Sequence, residues 1–162
     1  MRHSQSPHSG KNQLYTDAER ARRDATVWTL IQGLLAPIQF LVFLVSLALV
    51  IRYLSTGNGY AAAADSVVAK TALLYLIMIT GAVWEKIVFG RYLFAPAFFW
   101  EDVFSFAVIA LHTLYLVGLF GALWSPTTLM IIALLAYASY VVNAGQFIWK
   151  LRRARLDAAV LA

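Results

Sequence analysis

From Val103 to Trp149 the chain reads VFSFAVIALHTLYLVGLFGALWSPTTLMIIALLAYASYVVNAGQFIW, without a single Asp, Glu, Lys or Arg. A helix crosses a bilayer in about 20 residues, so this stretch holds two crossings, and Ser125-Pro126 is the natural division between them. A second uncharged run lies between Asp24 and Arg52. Pro37 interrupts it, which a bundle interior tolerates because neighbouring helices satisfy the freed backbone groups. Thr56-Gly57-Asn58-Gly59 then marks a turn. The remaining run is less obvious. Lys70 to Glu85 encloses only 14 uncharged residues, too few to cross. The run continues past Glu85-Lys86 through Ile87, Val88 and Phe89, however, and a lysine stem is long enough for Lys70 to snorkel outward. The spans are expected near 25–54, 67–89, 101–123 and 127–149. The fold class is all-α integral membrane, four transmembrane helices packed as an antiparallel bundle.

Composition agrees with this reading. Of 162 residues 61% are hydrophobic and 13% charged, and the length accommodates one compact domain. Residues 1–24 form a polar tail expected to be disordered or to lie on the surface, residues 25–150 the transmembrane domain, and residues 151–162 a basic tail. The first apolar run exceeds the core of a cleavable signal, about 7–15 residues. Ala61 to Ala64 resembles a cleavage site but reads as part of a retained span. Zero cysteines exclude disulfides, thiolate catalysis and Cys-ligated metal centres. The net charge of +5 is no nucleic-acid signature, because the basic residues sit at the ends of apolar runs. Eleven of them (Arg2, Lys11, Arg20, Arg22, Arg23, Lys86, Arg91, Lys150, Arg152, Arg153 and Arg155) fall on one side of a four-span topology, against Arg52 and Lys70 on the other. The positive-inside rule then places both termini in the cytoplasm.

The segment between the second and third spans is chemically dense. It runs Trp84-Glu85-Lys86, then Arg91, then Phe98-Phe99-Trp100-Glu101-Asp102. Carboxylates, cations and aromatics converge there on one membrane surface, although anchoring needs only Trp, Tyr, Lys and Arg. Helical spacing sets Glu101, Ser105, Val108 and His112 on one stripe, and Ser139, Asn143, Gln146 and Lys150 on another. Gln32 and Gln39 lie seven apart on the first span; Gly81 shares a face with Glu85 and permits close approach of a neighbour. Two readings stand side by side for these groups. Asn143, Gln146, Gln32 and Gln39 serve as interhelical hydrogen-bond glue, Glu85-Lys86 as a boundary ion pair, Asp102 as a helix cap, the aromatics as a belt and His112 as a packing residue; or they build a site, the default for intramembrane ionisable groups.

No nucleotide loop or metal-ligand set is present. His3 and His8 lie in the polar tail, leaving His112 as the sole histidine of the spans, which argues against a bis-histidine haem. Acid–base chemistry on an apolar substrate remains. Glu85 ends a helix whose dipole disfavours negative charge, whereas Glu101 and Asp102 begin one whose dipole favours it. Separated carboxylates in unlike settings supply an acid and a base. Glu85 reads as proton donor, Glu101 as the group that orients water, and Asp102 as the substitute base.

Several segments then carry a likeness: Leu14-Tyr15-Thr16, Arg22-Arg23-Asp24-Ala25-Thr26, Gln32-Gly33, Ala36-Pro37-Ile38-Gln39-Phe40, Arg52-Tyr53-Leu54, Trp84-Glu85-Lys86-Ile87-Val88-Phe89-Gly90, Leu93 to Asp102, His112-Thr113 and Asn143-Ala144-Gly145-Gln146-Phe147. Over roughly Leu14 to Leu156 the chain resembles the 2-vinyl bacteriochlorophyllide hydratase family. The resemblance implies hydration of the 3-vinyl group of a magnesium-containing chlorophyllide-type pigment to 1-hydroxyethyl, in bacteriochlorophyll synthesis and without a cofactor. It also implies a bacterial inner (cytoplasmic or photosynthetic) membrane and other pigment-biosynthesis enzymes as partners. On that reading Lys86 or Arg91 holds the propionate, Trp100 with Phe98 and Phe99 meets the ring, Asn143 and Gln146 line the substrate site, and His112 ligates the pigment's magnesium. A non-catalytic membrane subunit that carries pigment or quinone is the alternative, needing the aromatics, histidine and cations but not Glu85 and Glu101. A small transporter fits less well, since four helices without an inverted repeat leave little for alternating access.

Overall fold

The computed structural model describes residues 14–160; the polar segment 1–13, with Arg2, His3, His8 and Lys11, and residues 161–162 lie outside the described residues. The described elements are α1 (Asp17–Ala25), α2 (Val27–Thr56), α3 (Tyr60–Phe89), α4 (Phe99–Phe120) and α5 (Pro126–Val160). The last four are long and apolar enough to cross a membrane.

Helix α1 occupies part of the stretch expected to be a polar tail, disordered or lying on the surface. Its start is a capping box: the Glu19 N–H donates to Thr16 Oγ1, and Glu19 Oε2 accepts from the Thr16 N–H at 2.8 Å. Acids in the first turn and Arg22 and Arg23 in the last complement the helix dipole. The helix is held down as well as capped. Arg22 Nε donates to the Val88 carbonyl at 2.8 Å, and Tyr15 stacks on Phe89 with ring centroids 5.8 Å apart. Thr29 Oγ1 donates to the Arg23 carbonyl at 2.6 Å and accepts from Trp84 Nε1 at 2.9 Å, tying the α1–α2 corner to α3.

The long helices differ from expectation mainly at their ends. Helix α3 starts at Tyr60 because the Ala61–Ala64 run is strongly helix-forming. Gly57 and Gly59, at φ 72° and 86°, make the tight connection before it. Helix α5 runs on to Val160, so the basic tail expected at 151–162 is largely its continuation. Helices α2 with α3 and α4 with α5 make the broadest contacts, α2 also meets α5, and α1 lies on α3.

Two packed clusters result. The larger, around Phe43, Val50, Val67, Tyr115, Met130 and Tyr137, lies away from α1; the smaller joins Tyr15, Val88 and Phe98 beside it. Lys70 belongs to the larger region and does not snorkel. It continues the buried stripe Ala63, Val67, Leu74, is itself 0% exposed, and sets Nζ 3.7 Å from the centroid of the Tyr140 ring. Its Nζ has no hydrogen-bond partner among the described residues. A desolvated cation–π contact is worth about 2 kcal/mol, less than the several kcal/mol that burying an ion costs. Lys70→Met, similar in length but without the amino group, is therefore expected to raise the thermal unfolding midpoint in detergent. A lowered midpoint would show that the amino group stabilises the bundle after all.

Candidate active site

Between the two clusters lies a cavity of about 910 Å³, lined from all five helices and within the range of roughly 300–1,000 Å³ usual for small-molecule sites. Ala36, Pro37, Phe40, Leu74, Met78, Phe98 and Phe147 make its walls largely apolar. Glu85, Asp102, Ser105, Asn143, Gln32, Gln39 and Trp84 supply polar groups. Arg20, Arg23, Asp24 and Arg155 line it where α1 docks.

The central feature is a pair of carboxyl groups. Glu85 comes from the last turn but one of α3 and Asp102 from the first turn of α4; both are buried, and the backbone amides of two successive residues, Phe94 and Ala95, hold one each. Like charges resist joint ionisation in so enclosed a place, which favours one proton between two neighbouring carboxyls. The connecting segment 90–98 folds back over the pair. The Phe94 N–H donates to Asp102 Oδ2 at 2.7 Å and the Ala95 N–H to Glu85 Oε2 at 3.2 Å. Phe94 sits at φ 59°, a left-handed conformation that a bulky residue rarely adopts. It turns neighbouring amides toward one side, as in backbone concavities that bind anions.

Glu101, expected to orient water, is not in the cavity. Adjacent residues on a helix diverge by about 100°, and Glu101 turns toward α5, where Lys150 Nζ donates to its Oε2 at 2.6 Å. The same ammonium donates to the Ala97 carbonyl and lies 5.0 Å from the Phe98 ring centroid. Asn143 does line the cavity. Its Nδ2 donates to Ser105 Oγ at 2.7 Å and to the Glu101 carbonyl at 3.2 Å, so it also joins α5 to α4.

The other expected substrate contacts fall outside the cavity lining. Lys86 Nζ turns back to the Gly90 carbonyl at 3.0 Å and over the Tyr92 ring, and Arg91 is exposed. Trp100 is 66% exposed, whereas Phe98 beside it is buried and lines the site. Gln146 is absent from the walls. His112 is wholly buried beyond them, its Nδ1 2.8 Å from the Val108 carbonyl and its ring 5.9 Å from that of Tyr137. It shares the stripe of Ser105 and Val108 but lies a further turn along α4. Gln32 donates through Nε2 to Thr80 Oγ1 at 2.7 Å, and it is this side chain that approaches Gly81.

Tyr15, Arg20 and Arg23, on or beside α1, are polar wall residues that the spacing of the spans did not single out. Thr16-x-x-Glu19 followed by arginines three apart was the available signal. Burial pushes the Tyr15 hydroxyl up from its ordinary value despite Arg23 beside it, which keeps it a neutral phenol.

Residues 15–153 match the family described as 2-vinyl bacteriochlorophyllide hydratase (BCHF). The chain belongs to that family. Two curated relatives carry the name 2-vinyl bacteriochlorophyllide hydratase. One, from Cereibacter sphaeroides, is 67% identical over 153 residues, covering 94% of each chain. The other, from Rhodobacter capsulatus, is 69% identical over 147 residues, covering 90% of this chain and 85% of its own. No solved structure matches. The family match takes in every cavity-lining residue except Leu14 and Arg155.

The geometry separates Glu101 from the carboxyl pair in a measurable way. Glu101→Gln weakens a charged hydrogen bond and is expected to lower stability by about 1–3 kcal/mol, while the protein that remains folded keeps its turnover. A Glu101→Gln protein that is fully stable yet inactive would return Glu101 to the chemistry.

Proposed function

We propose that this protein hydrates the vinyl group of a bacteriochlorophyllide-type pigment, numbered 2 in the family name and 3 in systematic numbering, to a 1-hydroxyethyl group in bacteriochlorophyll synthesis. Family membership supports the reaction class. The observation that carries it to this chain's own residues is the pair of buried carboxyls, Glu85 and Asp102, held by adjacent backbone amides on the wall of an apolar cavity.

The proton balance of hydration suits such a pair. Glu85 gives its proton to the terminal vinyl carbon, and the resulting cation at the inner carbon is delocalised into the macrocycle. Water adds at that carbon, and the oxonium loses a proton to Asp102. One proton has left the pair and one has returned, so the pair ends with the single proton it began with. Electrons are neither gained nor lost overall. The carboxylate formed on Glu85 lies beside the developing positive charge and stabilises it. Asn143 and Ser105, already bonded to each other on the same wall, are the nearby polar groups that would help seat the water.

The same reading includes topology. Four antiparallel spans in the cytoplasmic or photosynthetic membrane, with both termini cytoplasmic, follow from the charge bias. Burial of Lys70 strengthens it, because Arg52 is then the one basic residue on the outer face among the 13 in the chain. The cavity's α1 end accordingly faces the cytoplasm. Reporter fusions at Gly57 and Ser125 are expected to read periplasm, and one at the carboxyl terminus cytoplasm. The opposite pattern would turn the arginine-lined end outward and remove this orientation.

Glu85→Gln and Asp102→Asn test the chemistry. Acid–base groups contribute about 10²–10⁴-fold, so each variant is expected to lose at least a hundredfold in turnover while still binding vinyl chlorophyllide. Turnover is read as the mass gain of product formed in isotopic water. Near-normal turnover in Glu85→Gln overturns the acid assignment; pigment binding by the natural chain without any hydration favours a pigment carrier instead.

A further inference from the structure

The hydration step uses none of the cations that line the cavity. Arg20 and Arg23 reach it from α1 and Arg155 from α5, and Asp24 is the one carboxylate that lines it besides Glu85 and Asp102. Arg23 is already engaged, 2.7 Å from Asp24 Oδ1 and 4.8 Å from the centroid of the Tyr15 ring. Arg20 is not. Its Nε is buried and has no hydrogen-bond partner among the described residues. A guanidinium N–H removed from water without an acceptor is a cost to the folded chain, and one that a bound anion would relieve. The helix carrying it is fixed in place by the Arg22 contact to Val88, one turn beyond Glu85.

We propose that Arg20, on the cavity wall that Arg23 and Arg155 also line, binds the carboxylate of the substrate and thereby sets which edge of the macrocycle meets Glu85 and Asp102. The proposal rests on the hydratase reading for the identity of the pigment. A bacteriochlorophyllide is an apolar disc with one free propionate, and three environments are open to that carboxylate. The apolar depth around Phe40 and Leu74 would strip its hydration without replacement. The vicinity of Glu85 and Asp102 would set like charge against it. The arginine-lined end offers planar donors suited to a carboxylate. The vinyl-bearing and propionate-bearing rings are neighbours around the macrocycle. In the proposed pose the propionate meets Arg20, the vinyl group meets Glu85, and the remaining rings enter the apolar depth. Arg20 is a positioning residue in this arrangement.

The test compares two ligands on one protein. The full chain in detergent or nanodiscs is titrated with vinyl chlorophyllide as free acid and as its methyl ester, read by pigment absorbance and tryptophan quenching. The natural chain is expected to prefer the free acid by about tenfold to a hundredfold, the range of a charged hydrogen bond. Arg20→Met keeps an unbranched stem and removes the buried Nε that has no partner among the described residues, so the fold should survive; Arg20→Gln serves if it does not. Either substitution is expected to abolish the preference by weakening the free acid alone. An unchanged preference, or an equal loss for both ligands, overturns the proposal. Binding is read without turnover, so the two readings fail separately. Preference without hydration sinks the hydratase and leaves the carboxylate site; hydration with an undiminished preference in Arg20→Met does the reverse.

Discussion

The Glu85–Asp102 contact constrains much of the architecture around it. Away from this point α3 and α4 touch little, so the two carboxyls meet only because segment 90–98 turns back and gives each of them a backbone N–H. That turn needs a left-handed Gly90 and a left-handed Phe94, and the second is unfavourable for a bulky side chain. The aromatic surroundings offset this. Phe94 stacks on Phe106 at 5.5 Å, and Phe98 is packed among Tyr15, Trp84, Phe89 and Phe147. Segment, aromatic cluster and α1 thus hold one another, and the carboxyl pair is what their joint geometry presents to the cavity.

The helical scaffold was legible because it follows from uncharged length, which a bilayer-scale helix requires whatever its neighbours do. Glu85 and Asn143 were legible for a related reason: a polar group inside an apolar run must face other protein. Which neighbour it faces was not. The stripe holding Glu101 and Ser105 is broad enough to include Asp102, and only the placement of Lys150 on α5 decides that Glu101 turns one way and Asp102 the other. His112 shows the complementary difficulty. Helical periodicity gives a residue's direction correctly while saying nothing of where along that direction a cavity stops. Lys70 was placed by its charge at a boundary, but its position on the stripe Ala63, Val67, Leu74 governs it instead. The arginines of α1 were hidden by the polarity of their surroundings, since a short capped helix looks like tail until something is seen to hold it.

On the proposed hydration reading, the distribution of cations bears on whether the carboxyl pair can serve as an acid. An ammonium beside it would favour full ionisation of both carboxyls and leave no proton to give. Lys86 is adjacent to Glu85 in sequence, yet its ammonium is drawn off to the Gly90 carbonyl and the Tyr92 ring. Lys150 is spent on Glu101, the one further carboxylate within a residue of the pair. That pairing works in the opposite sense as well, because an unneutralised Glu101 would add a second negative charge next to Asp102. The arginines stand at the α1 end, where a substrate carboxylate can claim them. Charge in this bundle is therefore sorted by position: a carboxyl pair at the cavity wall, the Glu101–Lys150 ion pair closed off behind it, and arginines reaching the cavity from α1 and α5.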